Sequence, residues 1–201
     1  MKAGTINIQK RLVINLFVCL ALIAFNSEVF ASTSPQHSDE TLRNALIKAI
    51  NETDSFQNRF DAEVWLTDYS HRLKKRIKDD KKRIELLKAV HFEAKRANLP
   101  PEMVLAVIDV ESNFDRWAIS SAGARGLMQI MPFWLKEIGR PDDNLFHVNI
   151  NLRFGCTILR HYLDMEKGNY TRALGRYNGS LGSSKYPNKV FTALHQHWYK
   201  R

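Results

Sequence analysis

Residues 101–112 read PEMVLAVIDVES, and this stretch decides which fold the chain is predicted to have. Positions 103–108 are six consecutive apolar residues, a run that periodicity alone would allow in a buried strand as well as in a helix. Pro101 suits the first turn of a helix, and Glu102 suits the positive end of the helix dipole. The stretch therefore predicts a buried helix with Glu111 at its C-terminal end.

The carboxyl group of Glu111 is the first candidate catalytic group in the sequence. The negative end of the helix dipole and an apolar surrounding both disfavour the ionised form, so we expect a raised pKa. A carboxyl group that stays protonated near neutral pH can act as a general acid. On this feature alone, a surface glutamate just beyond a helix end is the favoured interpretation.

Apolar residues recur at helical spacing on both sides of this stretch. The predicted stripes are Leu42, Ala45, Leu46, Ala49 and Ile50; Trp65, Tyr69, Leu73 and Ile77; Ile84, Leu87, Val90 and Ala94; Leu152, Leu159, Tyr162 and Leu163; and Val190, Phe191, Leu194 and Trp198. We expect the third helix to end near Asn98 and Gly155 to allow close packing of the fourth. No stretch alternates with period two, so the predicted fold class is all-α.

The first thirty-one residues have the pattern of a secretory signal peptide. Lys2, Lys10 and Arg11 precede the apolar run 12–25, which is shorter than the roughly 20 residues that a transmembrane helix needs. Residues 29–31, Val-Phe-Ala, provide small residues for a cleavage site. The pattern predicts cleavage after residue 31 and export to the periplasm or cell envelope, with an uncleaved membrane anchor as the alternative.

Composition and charge narrow the class of protein. The 201 residues are 44% hydrophobic and 25% charged, which excludes a collagen-like, low-complexity or wholly disordered chain. The formal net charge is +9, and eight of the twelve residues 72–83 are Lys or Arg. We expect this run, Arg72 to Arg83, to form the solvated face of one helix. Contact with an anionic envelope surface is the second interpretation, and nucleic acid is not expected because no recognition motif is present.

The sequence predicts neither a metal site nor a cofactor. Cys156 would be the one cysteine left after export, and its neighbours predict a small buried hydrophobic residue. The histidines lack zinc-like spacing with it, namely His147, His161, His195 and His197. No nucleophile elbow, phosphate-binding loop or dinucleotide motif is present.

Three blocks of sequence together resemble one known family. They are ESNF at 111–114, GLMQIMP at 126–132 and RALGRYNG at 172–179. In this order and spacing they resemble the soluble lytic transglycosylase (SLT) domain, a goose-type lysozyme-like fold that cleaves bacterial peptidoglycan. The resemblance implies such a domain at 84–201, preceded by an N-terminal segment with a helical extension at 32–83.

The resemblance also implies roles for six residues. Glu111 matches the sole catalytic acid, and Ser112 matches a hydroxyl beside it that contacts a substrate N-acetyl or peptide group. Gln129 and Met131 match the floor of the sugar-binding groove. The pair that lines the cleft corresponds to Tyr177 and Asn178. Amide, hydroxyl, thioether and aromatic groups suit the amides, hydroxyls and apolar faces of a glycan.

Two of these residues also have a purely structural interpretation. Met131 fits core packing, and Asn178 fits a turn before Gly179. Tyr177 is implied to form a hydrogen bond near the acid or the N-acetyl group.

A second carboxylate is not convincingly placed, although glycosidases usually use two. Asp109 points to nearly the opposite side of a helix from Glu111. Asp115 would share a helix face with Glu111 only if the helix continued through residues 112–114. The Ser-Asn-Phe sequence at these positions indicates that the helix ends there instead. One acid suffices if the MurNAc N-acetyl oxygen stabilises the charge at C1 and the sugar's own C6 hydroxyl attacks.

The predicted function is therefore a peptidoglycan lytic transglycosylase that acts on glycan strands and leaves 1,6-anhydroMurNAc ends. A hydrolytic goose-type lysozyme would admit water to the same intermediate. A different class is a non-catalytic peptidoglycan-binding module of an envelope apparatus, whose other partners the sequence does not identify.

Overall fold

The computed structural model describes residues 59–199, apart from the side chains of residues 59–64, 137 and 138. Within that range seven α-helices follow one another: α1 (Arg59–Leu73), α2 (Asp80–Arg96), α3 (Pro101–Ser112), α4 (Phe133–Ile138), α5 (Val148–Met165), α6 (Tyr170–Tyr177) and α7 (Lys185–Ala193). A π-helical turn, Leu194–Trp198, continues α7. The predicted signal peptide and the stripe at 42–50 lie outside the described residues.

The predicted all-α class is confirmed over the described part of the chain. The one β-type feature there is a pair of isolated bridges, in which Arg125 pairs with Ile119 and with Ile130. These bridges fold the long connection between α3 and α4 back on itself. None of the helices in residues 59–199 is long and apolar enough to cross a membrane.

The predicted helix α3 is confirmed and lies at the centre of the packing. Its six apolar residues, 103–108, are all buried, and burying each such side chain contributes roughly 1.5–3 kcal/mol. Helix α3 contacts α2, α7 and the π-helical turn, while α5 contacts α2 and α6. The residue at the end of α3 is therefore held from several sides.

The basic run does not form one helix face, so that prediction is wrong. Helix α1 ends at Leu73, and Ile77 lies in the connection that follows. Asp79 then starts α2, because its side chain accepts a hydrogen bond from the backbone N–H of Lys82 at 3.0 Å. A capping aspartate satisfies a backbone donor that the new helix would otherwise leave unpaired.

The arginines of this run bind other parts of the protein, and one of them is buried. Arg83 is 5% exposed, and it donates to the Ser70 hydroxyl at 2.9 Å and to the Ile77 carbonyl at 2.7 Å. Arg76 pairs with Asp109 of α3. The exposed cations of the run are lysines: Lys74, Lys75, Lys78, Lys81 and Lys82.

Helix α2 agrees with the prediction at three of four stripe positions. Leu87, Val90 and Ala94 are fully buried, whereas Ile84 is only half-buried. The helix ends close to Asn98, as predicted, since Arg96 is its last residue. The predicted division between residues 83 and 84 falls inside α2, and the division itself stays a prediction.

Gly155 of α5 lets the helix pack closely against the connection that follows α3, as predicted. A Cβ atom at this position would lie 2.3 Å from the sulfur of Met128. The buried Asn151 accepts from the backbone N–H of Met128 at 2.8 Å and donates to the carbonyls of Arg125 and Leu145. Helix α5 thus fixes the backbone of residues 125–128.

Candidate active site

Helix α3 ends directly after the candidate acid. Asn113 has a left-handed φ of 49° and Phe114 a φ of 67°, so the backbone leaves the helical path at once. Asp115 consequently does not share a helix face with Glu111, as predicted. Its carboxylate is exposed and accepts from the backbone N–H of Trp117 at 2.8 Å.

Glu111 is half-buried and hydrogen-bonded to a tyrosine. Its Oε1 accepts from the hydroxyl of Tyr186 in α7 at 2.6 Å. Burial raises the pKa of the Glu111 carboxyl, and the hydrogen bond from Tyr186 offsets part of that rise. The raised pKa predicted for Glu111 therefore agrees with the structure, with loss of hydration as the main cause.

Tyr186 is a neighbour of the candidate acid that the motifs did not predict. Burial and the charge of Glu111 raise its pKa well above the ordinary value, so the phenol keeps its proton and remains a donor. The residue lies four positions before Val190, on the buried face of the last helix. That spacing was an available signal, because a tyrosine on a buried face needs a partner for its hydroxyl.

Tyr177 is close enough to Glu111 for the charge of that carboxylate to act on its phenol. Burial is the first cause of its raised pKa, and the charge of Glu111 is the second. Its hydroxyl donates to the carbonyl oxygen of Met128 at 2.8 Å. The one hydrogen of this hydroxyl is therefore engaged with the backbone, whereas the phenol oxygen can still accept a hydrogen bond.

Ser112 ties the end of α3 to the loop that follows. Its Oγ lies 2.8 Å from the carbonyl oxygen of Leu127 and 3.2 Å from that of Ile108. A serine hydroxyl has one hydrogen to donate, and both neighbours only accept. Any contact of Ser112 with a substrate would therefore use the oxygen as an acceptor.

Gln129 holds an unusual backbone conformation in the same loop. Its φ is 51°, and a left-handed conformation costs a residue with a side chain about 1–2 kcal/mol. The carboxamide nitrogen donates to the carbonyls of Gly126 at 2.9 Å and Ala118 at 3.2 Å. These bonds leave the carboxamide oxygen to face other groups.

The remaining two predicted residues join the site less directly. Met131 is half-buried and packs against the hydrophobic core, which keeps its packing interpretation open. Asn178 is exposed and follows α6, where its backbone N–H donates to the Leu174 carbonyl at 3.0 Å. No contact among the described residues joins Asn178 to Glu111.

Two cavities of the described region lie beside the acid rather than around it. One of about 830 Å³ is lined by α2, the residues after α3 and the start of α5. The other, about 480 Å³, lies between α3 and α7. Neither has Glu111 in its lining, so the site is identified by the environment of the acid and not by cavity size.

The structure assigns Cys156 to the core. The residue is fully buried, as predicted, and burial raises the pKa of its thiol. Within residues 59–199, no three His, Cys, Asp or Glu side chains gather in a group that could hold a metal ion.

Comparisons with known proteins give several similarities. "Transglycosylase" of Enterobacteria phage PRD1 is 34% identical over 100 residues, which are 46% of this chain and 37% of that protein. "Membrane-bound lytic murein transglycosylase C" of Actinobacillus pleuropneumoniae is 42% identical over 48 residues, 24% of this chain and 13% of that protein. The chain thus spans well under half the length of these relatives.

A solved structure, an inactive mutant of lytic transglycosylase Slt from Pseudomonas aeruginosa, aligns with a TM-score of 0.43 and 24% identity over 53% of this chain and 20% of that one. The family model described as Transglycosylase SLT domain matches residues 88–196, more than half of the chain. The matched range contains Glu111, Tyr177 and Tyr186. The predicted family is confirmed, and the chain belongs to the transglycosylase SLT domain family.

Proposed function

We propose that this protein is a peptidoglycan lytic transglycosylase, a carbon–oxygen lyase that cleaves the β-1,4 bond between MurNAc and GlcNAc. The observation that carries the proposal is the Glu111 carboxyl group at the end of α3, which has a raised pKa and accepts a hydrogen bond from Tyr186. It forms no ion pair within residues 59–199. Such a group is suited to carry a proton near neutral pH. Membership of the SLT family supports the substrate class.

The reaction needs one acid and no water. Glu111 gives its proton to the glycosidic oxygen, the bond between that oxygen and C1 of MurNAc breaks, and the N-acetyl oxygen stabilises the charge on C1. The carboxylate of Glu111 then takes the proton of the C6 hydroxyl, whose oxygen bonds to C1 and closes the 1,6-anhydro ring. The attack is intramolecular and gains from proximity.

The neighbours of Glu111 have separate parts in this proposal. Tyr186 occupies one carboxyl oxygen, so the proton for the leaving group is carried by the other. Ser112 and Gln129 offer acceptor oxygens to the N–H and hydroxyl groups of the sugars. Tyr177 lines the cleft beside the acid, and the roles of Met131 and Asn178 are those implied by the family resemblance.

A single acid is supported by the contacts of the two nearest carboxylates. Asp109 is bound by Arg76, and Asp115 by the backbone of Trp117. Both are therefore engaged away from Glu111. A hydrolytic lysozyme would need a base to activate water, for which Asp115 is the first candidate to mutate.

The proposed location is the periplasm or cell envelope, reached by a signal peptide cleaved after Ala31. The relatives named as a membrane-bound lytic murein transglycosylase are compatible with that location. We also propose the division into a segment at 32–83 and a catalytic domain at 84–201. The exposed lysines of the basic run are available to contact an anionic envelope surface.

The test is product analysis from purified sacculi with the wild type, Glu111→Gln and Glu85→Gln. Glu85 is exposed on α2 and serves as the matched control for the same chemical change. New MurNAc ends should be lighter by one water than hydrolytic ends and resistant to borohydride. Glu111→Gln should lose at least about 10²–10⁴-fold in rate, and Glu85→Gln should lose nothing.

Three outcomes contradict the proposal in different ways. Reducible MurNAc ends as the main product indicate a hydrolytic lysozyme. No new ends from well-folded wild type indicate a binding module. Full activity of folded Glu111→Gln excludes Glu111 as the acid.

A further inference from the structure

The end of α1 lies outside the family match at 88–196, yet it binds the last described residues of the chain. The hydroxyl oxygen of Tyr69 lies 2.9 Å from the carbonyl oxygen of Trp198 and 3.0 Å from Oε1 of Glu102, and its one hydrogen serves these two acceptors. Arg72 donates to the carbonyls of His197 at 3.2 Å and Tyr199 at 3.0 Å. The end of α1 is thus hydrogen-bonded to the π-helical turn and to the residue that follows it.

Asp109 of α3 is the centre of this unit. Its side chain is 8% exposed and accepts from the Arg76 guanidinium at 2.9 and 3.0 Å. The indole N–H of Trp198 donates to it at 2.9 Å, and Nδ1 of His197 lies 2.7 Å away. A carboxylate only accepts, so Nδ1 carries the hydrogen at this contact. One carboxylate therefore joins three donors from two distant segments.

Arg76 binds the last turn of α3 on the face that carries Asp109 and Asn113, opposite to Glu111. Besides Asp109, it donates to the side-chain oxygen of Asn113 at 3.1 Å. Its guanidinium also lies 5.4 Å from the ring centre of Trp198 and 5.6 Å from that of Phe114. The planar fork of arginine suits these simultaneous contacts in a way that lysine does not.

The same two elements carry the acid and its partner. Glu111 and Asp109 are both in α3, whereas Tyr186 lies in α7, which continues into the turn that contains Trp198. The bond between Asp109 and Trp198 and the bond between Glu111 and Tyr186 are therefore two links between one pair of elements.

We propose that Arg76 and Asp109 are positioning residues that set the contact between Glu111 and Tyr186. The proposal assigns residues 69–76 to the working catalytic unit, although the family match begins later. Its kinetic part rests on the proposed transglycosylase function. Its structural part concerns the environment of Glu111. A titration of the Glu111 carboxyl tests that part without measuring any reaction.

The first experiment compares Asp109→Asn with Glu93→Gln. Glu93 is a carboxylate whose side chain is 3% exposed, against 8% for Asp109, and it pairs with Arg96 and Arg153 rather than with Glu111. A ¹³C NMR titration of the Glu111 carboxyl follows its pKa in the full-length protein. Asp109 faces Arg76 and His197, while Glu111 faces the two phenols of Tyr177 and Tyr186, and neither set of partners includes Glu93.

We expect Asp109→Asn to weaken the hydrogen bond from Tyr186 and so to raise the pKa of Glu111 further, while Glu93→Gln leaves it unchanged. On sacculi, kcat of Asp109→Asn should fall about 10- to 100-fold, the range that small misplacement of a catalytic group can cost. KM should stay close to the wild-type value. Arg76→Lys keeps the charge but loses the fork, and we expect the same changes to a smaller extent.

A double variant separates positioning from general damage. If Asp109 acts through Tyr186, then Asp109→Asn combined with Tyr186→Phe should have the kcat of Tyr186→Phe alone. A further loss equal to that of the single Asp109→Asn variant would overturn the proposal. An unchanged titration of Glu111 in folded Asp109→Asn and Arg76→Lys would also overturn it, whether or not the wild type forms anhydro ends. Arg76→Lys decides the matter if Asp109→Asn does not fold.

Discussion

The hydroxyl of Tyr186 can be removed with little change in shape, because phenylalanine fills the same space. Only the 2.6 Å hydrogen bond to Glu111 disappears. Hydrogen bonds to charged groups contribute about 1.5–3 kcal/mol. Glu111 becomes a carboxylate as the glycosidic bond breaks, so the loss acts mainly on that step. The corresponding decrease in kcat is about 10- to 150-fold.

The same change alters how the rate depends on pH. The bond from Tyr186 lowers the pKa of Glu111 against the effect of burial. Without it the pKa rises further, and Glu111 stays protonated to higher pH. The pH at which kcat declines on the alkaline side should therefore move upward in Tyr186→Phe.

The assay measures release of anhydro-muropeptides from sacculi across pH, with Tyr199→Phe as the control. Tyr199 is 57% exposed, and its carbonyl rather than its hydroxyl contacts Arg72. The control should match the wild type in kcat and in pH profile. The reasoning would be refuted if kcat of Tyr186→Phe stayed within about twofold of the wild-type value. A twofold change is smaller than the loss of one hydrogen bond of ordinary strength should cause.

Two predictions concern stability. Burial raises the pKa of Glu111 in the folded state, so wild-type stability falls as pH rises from the unfolded pKa to the folded one. Glu111→Gln should therefore be more stable than the wild type in urea unfolding at neutral pH, with the difference vanishing in acid. Gly155→Ala should lose about 1–3 kcal/mol, because its methyl group overlaps the Met128 side chain, whereas Gly175→Ala, with its nearest atom at 3.3 Å, should lose less.

Each stability prediction has a result that contradicts it. An advantage of Glu111→Gln that is as large in acid as at neutral pH would mean that the titration of Glu111 is not its source. Equal stability of Gly155→Ala and the wild type would mean that Met128 moves aside without cost. Truncation of Met128 to alanine in the Gly155→Ala background should relieve the overlap only in part, because the Cβ atom of residue 128, 2.8 Å from the added methyl group, remains.

Much of the candidate site was readable from residues close together in the chain. Pro101, the apolar run at 103–108 and the Ser-Asn-Phe sequence after Glu111 predicted where α3 begins and ends, because these signals act within one or two turns. The raised pKa of Glu111 follows from burial of its own carboxyl group in the folded protein. Close packing at Gly155 was predicted from the absence of a side chain in an apolar stripe.

The basic run shows where local patterns fail. Counting its charges predicted a solvated helix face, since arginine and lysine are alike in such a count. The folded chain buries Arg83 and joins Arg76 to Asp109. A guanidinium can be buried when several acceptors surround it. Here the acceptors come from α1, from the connection after it and from the end of α3, and the charge pattern describes none of them.

The sequence by itself therefore determined the helical class, the position of Glu111 and the family. It could do so because helical period, stop signals and motif spacing are properties of neighbouring residues. Only the tertiary structure decided that Tyr186 is bonded to an acid 75 positions earlier in the chain, and that Asp109 joins Arg76 to Trp198. These pairs form because α3 packs against α7 and the turn that follows it, and a contact between distant segments depends on how whole helices pack rather than on any local pattern.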